Sequence, residues 1–341
     1  METVLTYVLF AVGFVLIVKG GDWFVDGAAW VAEVTGIPKI IVGATIVSVA
    51  TTLPEILIST VAAIEGHQIL MSGVDDFVFL SQEKVGLAIG NGIGSVICNI
   101  AMIMAISLIF APKGIERKKL SRKVVIFGVV LFALITLTRF GTLSTRGALI
   151  LLVGFVVYIV ENVKSSGSDS LNDEDPPSVD RKTIIRNLIS LFLGAACLIG
   201  GSQLLVYEVT GVARNLGVSE SLIGLTIMAI GTSLPELVMA ITAVIKKQPS
   251  MSVGNVIGAN IIDIALVLPI CSFIYGGTLP VSQQNLYLDF PVCILVSAIA
   301  FVPTLIAKKF YRWQGILMLV IYIAYLCLTV FRSEWYLSLF N

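Results

Sequence analysis

The chain repeats itself, and that repetition limits the folds open to it. Residues 36–55 read GIPKIIVGATIVSVATTLPE, and residues 217–236 read GVSESLIGLTIMAIGTSLPE. Gly36, Gly43, Thr45, Thr51, Leu53, Pro54 and Glu55 recur 181 positions later as Gly217, Gly224, Thr226, Thr232, Leu234, Pro235 and Glu236. Upstream, Gly20-Gly21 recurs as Gly200-Gly201. Downstream, 90–99 reads GNGIGSVICN and 254–263 reads GNVIGANIID, an offset of 164. The first copy therefore carries about seventeen extra residues between its second and third apolar runs.

Those runs recur along the whole chain. Hydrophobic residues make up 57% of it, charged residues 13%, and the mean hydropathy is +0.98. A soluble domain of 341 residues needs more polar surface than that. Ten stretches are long and apolar enough to cross a bilayer, near 3–19, 37–65, 85–110, 122–138, 145–163, 183–206, 219–246, 252–275, 286–307 and 313–332. The first is read as a retained span, because no basic residue precedes it and no small-residue cleavage site follows. Five spans fall in each half, and an odd number makes the two halves enter the membrane from opposite sides. The expectation is an all-α polytopic membrane protein built as two inverted five-helix repeats, with a substrate site at the midplane between them. Repeat 1 covers 1–163, repeat 2 covers 183–341, and 164–182 (KSSGSDSLNDEDPPSVDRK) reads as a flexible cytoplasmic linker. Its acidic cluster is read as solvated rather than as a cation site.

Charge orients this arrangement. Seventeen of the 22 Lys and Arg fall on one side of the ten-span arrangement and five on the other. The basic side is cytoplasmic, which places both termini outside the plasma membrane. A formal net charge of zero thus hides a polarised molecule, and nothing in it favours a nucleic-acid partner. The five cysteines (Cys98, Cys197, Cys271, Cys293, Cys327) lie inside spans, without metal-type spacing, and read as small packing residues.

Two carboxylates stand out. Glu55 and Glu236 lie deep in apolar segments, where an ionised group without partners costs several kcal/mol. Each follows a proline, which cannot donate to the carbonyl four residues back and crowds it. Pro54 and Pro235 thereby free the carbonyls of Ala50 and Gly231, beside the hydroxyl pairs Thr51-Thr52 and Thr232-Ser233. Opened backbone at membrane depth is tolerated where it is buried in protein or lines an aqueous cavity. Carboxylates, carbonyls and hydroxyls are hard oxygen donors, suited to Ca2+ and Na+. The third and eighth spans add Asn91, Ser95 and Asn99, one polar stripe at four-residue spacing, matched by Asn255, Ala259 and Asp263. Beside the stripes run Gly90/Gly94 and Gly254/Gly258, a spacing that admits close helix approach.

These motifs resemble the alpha repeats of the cation/calcium exchanger superfamily, in particular its prokaryotic sodium/calcium exchanger branch. The resemblance covers both halves and implies a ten-helix antiporter, with four cation sites at the midplane and three Na+ moved per Ca2+. Carried over by position, it implies central ligands Glu55, Glu236, Asn99 and Asp263. Flanking sodium ligands would be Thr51, Thr52, Ser95, Thr232 and Ser233, with the carbonyls of Ser48 and Ala229. Three positions depart from the pattern. Thr52 stands for a serine, Ala259 replaces a serine and loses an oxygen, and Val96 stands where the pattern has Asn.

The insert at 66–84 holds His67, Asp75, Asp76 and Glu83 and is expected outside as a solvated loop, with His67 an interfacial polar residue. No nucleophile motif and no phosphate-binding glycine loop is present, so neither an enzyme nor ATP hydrolysis is expected, and no cofactor beyond the transported ions. Exchange of H+ for Ca2+, a K+-dependent variant, and an intramembrane acid/base enzyme using the Glu pair are the other readings. Oligomeric state is not encoded in any motif.

Overall fold

A computed structural model describes residues 2–72, 77–110, 117–167, 180–215, 229–307 and 309–338. Asp75 and Asp76, most of the linker, and Gly217, Gly224 and Thr226 lie outside the described residues. Helices run as α1 (Glu2–Thr35), α2 (Lys39–Thr51), α3 (Leu53–Ser72), α4 (Leu80–Phe110), α5 (Arg117–Thr138) and α6 (Thr145–Gly167). They continue as α7 (Arg181–Asn215), α8 (Ala229–Thr232), α9 (Leu234–Ile245), α10 (Pro249–Tyr275), α11 (Asn285–Ala307) and α12 (Arg312–Ser338). A two-residue antiparallel pair, β1 (Thr142–Leu143) with β2 (Leu279–Pro280), ties the α5–α6 turn to the α10–α11 turn.

Among the described residues, eight helices are long and apolar enough to cross a membrane, and α2 with α3 makes a ninth as one bent span. The seventh expected span, 219–246, is described only from Ala229 onward. Its α9 segment of 12 residues is about 18 Å long, too short to cross alone.

The first and sixth spans run longer than expected. Helix α1 continues to Thr35 instead of stopping near 19, and α7 extends from Arg181 to Asn215. Polar residues that look like the end of an apolar run stay in the helix because they find partners. Lys246, at the end of α9, reaches Asp26 Oδ1 (2.6 Å), Asp22 Oδ1 (3.6 Å) and the Asp22 carbonyl (3.0 Å). Glycines complete the support. A Cβ on Gly20 would lie 2.8 Å from that of Cys197, and one on Gly201 would lie 2.9 Å from the Gly13 carbonyl. The backbones of α1 and α7 therefore touch along much of their length. Helix α1 ends where Gly36 turns left-handed (φ 68°), with Pro38 two residues on.

Helix α10 forms the centre. Every residue from Pro249 to Ile262 is buried, polar ones included. Its glycines admit α2 to backbone contact: Gly254 packs on the Ile40 carbonyl, Gly43 on the Met251 carbonyl, and a Cβ on Gly258 would sit 2.7 Å from Ala44 O. The glycine spacing at 254 and 258 thus serves the close approach read from sequence, whereas at Gly90 and Gly94 no atom of a neighbouring helix among the described residues lies within 4 Å of an added Cβ. Ala44 is held from a third side by Tyr158 of α6, whose hydroxyl donates to its carbonyl.

Candidate cation site

Both proline-containing segments break where the sequence placed the strain. Helix α2 ends at Thr51, Thr52 adopts φ −80°, ψ 0°, and α3 leaves at 45°. In the other half α8 ends at Thr232, Ser233 adopts φ −88°, ψ 9°, and α9 begins. The two breaks fall at equivalent positions, two residues before each proline. Glu55 and Glu236 lie in the first turns of α3 and α9, where helix N-termini favour negative charge. Each side chain is 1% exposed.

Contacts across the halves are paired. Thr51 Oγ1 donates to Asn255 Oδ1 at 3.2 Å, and Thr232 Oγ1 donates to Asn91 Oδ1 at 3.5 Å. Each joins a broken segment to the polar stripe of the opposite half. Asn91 also donates to Ser59 Oγ at 3.0 Å and to the Glu55 carbonyl at 3.5 Å. Thr52 Oγ1 donates to Glu236 Oε1 at 3.4 Å. The mirror contact, Ser233 to Glu55, is absent: Ser233 Oγ and both Glu55 oxygens have no hydrogen-bond partner among the described residues.

The remaining expected residues lie on the helices that carry these groups. Glu55 lies within electrostatic reach of Glu236 and Asp263. Asn99 and Asp263 each open a turn of π-helix, Asn99–Met104 in α4 and Asp263–Val267 in α10. Such single π turns recur at functional sites because they widen the helix and re-aim one side chain. Ser95 is buried one turn before Asn99. The Ser48 carbonyl already accepts the Thr52 N–H at 3.0 Å, which leaves one lone pair. Ala229 opens α8. Ala259 is fully buried and, as its sequence requires, brings no oxygen.

What unites the cluster is unmet acceptor capacity. Both oxygens of Glu55, Oε2 of Glu236, both oxygens of Asp263, Oδ1 of Asn99 and the hydroxyls of Ser95 and Ser233 are buried without a hydrogen-bond partner. Buried carboxylates left this way cost several kcal/mol each unless a cation or proton compensates them. No three His, Cys, Asp or Glu side chains among the described residues close into a chelate of their own. A cation bound here must therefore draw on hydroxyl, amide and carbonyl oxygens too, as hard ions do.

Sequence reading left Asn91 and Asn255 as stripe members and passed over Asn260 and Ser59. The signal for the first pair was their equivalence across the repeats, and for Asn260 its place one helical turn before Asp263. Elsewhere, His67 Nδ1 pairs with the Tyr275 carbonyl at 3.0 Å, joining α3 to α10. The five cysteines are free thiols, and Cys327 is exposed rather than packed.

Broken apolar helices meeting at a buried, acceptor-rich cluster define a helical membrane cation transporter. The chain belongs to the sodium/calcium exchanger family, whose model matches residues 5–163 and 186–331. It is 32% identical over 325 residues to an uncharacterised membrane protein of Methanocaldococcus jannaschii, covering 92% of this chain and 94% of that one. The sodium/calcium exchanger MaX1 of Methanosarcina acetivorans is 26% identical over 358 residues, covering 94% and 97%. Among solved structures, the sodium-calcium exchanger NCX_Mj soaked with Na+ and Sr2+ superposes with a TM-score of 0.76 at 30% identity, covering 94% of this chain and 97% of that one.

Proposed function

We propose that this protein is a secondary antiporter that exchanges Ca2+ for Na+. The two ions would compete for one oxygen cluster centred on Glu55, Glu236, Asn99 and Asp263. Thr51, Thr52, Ser95, Thr232, Ser233 and the carbonyls of Ser48 and Ala229 flank it. The carrying observation is the set of five buried carboxylate oxygens without partners, gathered from both halves of the chain. Charge compensation supplies the coupling. An unoccupied cluster is too costly to bury as the protein rearranges, whereas one Ca2+ or several Na+ neutralise it. That NCX_Mj was soaked with Na+ together with Ca2+ or Sr2+ supports the choice of ions.

The rest of the reading follows from the same argument. Repeats 1–163 and 183–341 are oppositely oriented, joined by the cytoplasmic linker 164–182, with both termini outside the plasma membrane. No catalytic step is assigned to the Glu pair, because duplication places like groups symmetrically around a transported ion. Calcium uptake into proteoliposomes, with Na+, K+ or H+ gradients imposed one at a time, tests the proposal. An outward Na+ gradient alone should drive uptake. Uptake driven only by a proton gradient would overturn it, and a K+ requirement would identify a K+-dependent exchanger.

A further inference from the structure

Asn260 lies beside the cluster without being one of its expected ligands. It is fully buried in α10, one turn before Asp263. Its Oδ1 accepts a hydrogen bond from Asn99 Nδ2 at 3.0 Å. That contact has a directional consequence. An amide carries its donor and acceptor on opposite arms, so anchoring Asn99 by its NH2 group turns its carbonyl oxygen the other way. Asn99 Oδ1 is among the buried acceptors with no partner, as are both oxygens of Asp263. The π turn that Asn99 opens packs against α9, the helix that carries Glu236, and against α10. Without an acceptor at position 260, Asn99 could rotate and present its NH2 group to a cation, which repels it.

The repeat offers an internal control. The position equivalent to Asn260 in repeat 1 is Val96, 164 residues earlier. Val96 is buried and can accept nothing, and the residue three positions on from Asn260 is the carboxylate Asp263, not an amide. A carboxylate needs no such guide, because both of its arms are acceptors. Only the neutral member of the Asn99/Asp263 pair requires an orienting partner, and only that member has one.

We infer that Asn260 is a positioning residue, which fixes the rotamer of Asn99 so that its carbonyl oxygen, and not its NH2 group, faces the transported cation. The inference rests on the Na+/Ca2+ exchange reading and refines one ligand within it.

The experiment measures calcium half-saturation of sodium-driven uptake in proteoliposomes, together with equilibrium 45Ca2+ binding to the purified protein without Na+. Asn260→Val copies the repeat 1 residue at similar volume. It should raise both constants about fivefold, the weight of one lost hydrogen-bond partner, while the maximal rate falls less than the affinity. In an Asn99→Ala background the same substitution should change neither constant, since there is no amide left to orient. Asn260→Asp keeps an acceptor in place and should not raise either constant above wild type. This second variant also answers any folding defect in Asn260→Val. Equal weakening by Asn260→Val in both backgrounds would make Asn260 a general packing residue and overturn the inference. So would wild-type constants in Asn260→Val, or an Asn260→Asp as weak as Asn260→Val. A wild-type protein that neither binds nor moves calcium would instead remove the exchange reading itself.

Discussion

The two halves of the site are built from the same motif and are not the same. At the Thr51/Thr232 level they match: each hydroxyl donates to an Asn of the opposite stripe. One residue further they diverge. Thr52 holds Glu236 by a hydrogen bond, whereas Ser233 and Glu55 stay unpaired. At the π turns the divergence is chemical, an oriented amide at Asn99 against a free carboxylate at Asp263. The duplicated motif supplies a near-symmetric frame, and single substitutions within it give each half different contacts. Glu55 and Asp263, one from each half, keep both carboxylate oxygens unmet, against a single one on Glu236.

The largest expected effect ignores the asymmetry. Glu55→Gln and Glu236→Gln each remove a charge while keeping shape, and each should abolish sodium-driven calcium uptake in folded protein. Near wild-type uptake in both would break the site assignment. The frame itself is open to test by labelling. Single cysteines at Ser72 and Ser166 in a cysteine-free background should react from opposite sides, Ser72 from outside intact cells and Ser166 only after permeabilisation. Labelling of both from one side would end the inverted arrangement.

Smaller effects should separate the halves. Thr52→Val removes the hydroxyl that holds Glu236, and should weaken apparent calcium affinity about fivefold, the scale of one hydrogen bond of about 1 kcal/mol. Ser233→Ala removes an unpaired hydroxyl, and should raise the sodium half-saturation by a similar factor with a lesser effect on calcium. Identical profiles for the two variants would mean that the missing Ser233–Glu55 contact has no functional meaning. The smallest change is a gain. Ala259→Ser restores the oxygen that the family pattern supplies, and should lower the sodium half-saturation of calcium efflux by about fivefold or less. Its calcium affinity should hold. A calcium shift as large as the sodium shift would place position 259 at the calcium site.

Much of this was legible along the chain. Apolar length and the proline before each glutamate located most of the spans and the two helix breaks, because each is a local property of backbone and solvent. The ends of α1 and α7 were not legible. Lys19, Asp22 and Asp26 look like an exit from the membrane until Lys246, more than two hundred residues away, is seen to pair with both aspartates. Asn260 escaped notice for a related reason: its role depends on which neighbour its amide faces.

The sequence by itself determined that the chain is a helical membrane protein with a duplicated motif and which side-chain oxygens lie in its apolar segments. Periodicity, hydropathy and proline chemistry act within a few residues and need no tertiary context. Only the tertiary structure decided which of those oxygens are already engaged and which remain for an ion. Thr51 is committed to Asn255, Thr52 to Glu236 and the Asn99 NH2 group to Asn260, while Glu55 and Asp263 are left unpaired. A hydrogen bond between residues 161 to 204 apart depends on how helices pack, and the glycines of α10 let α2 come to backbone contact.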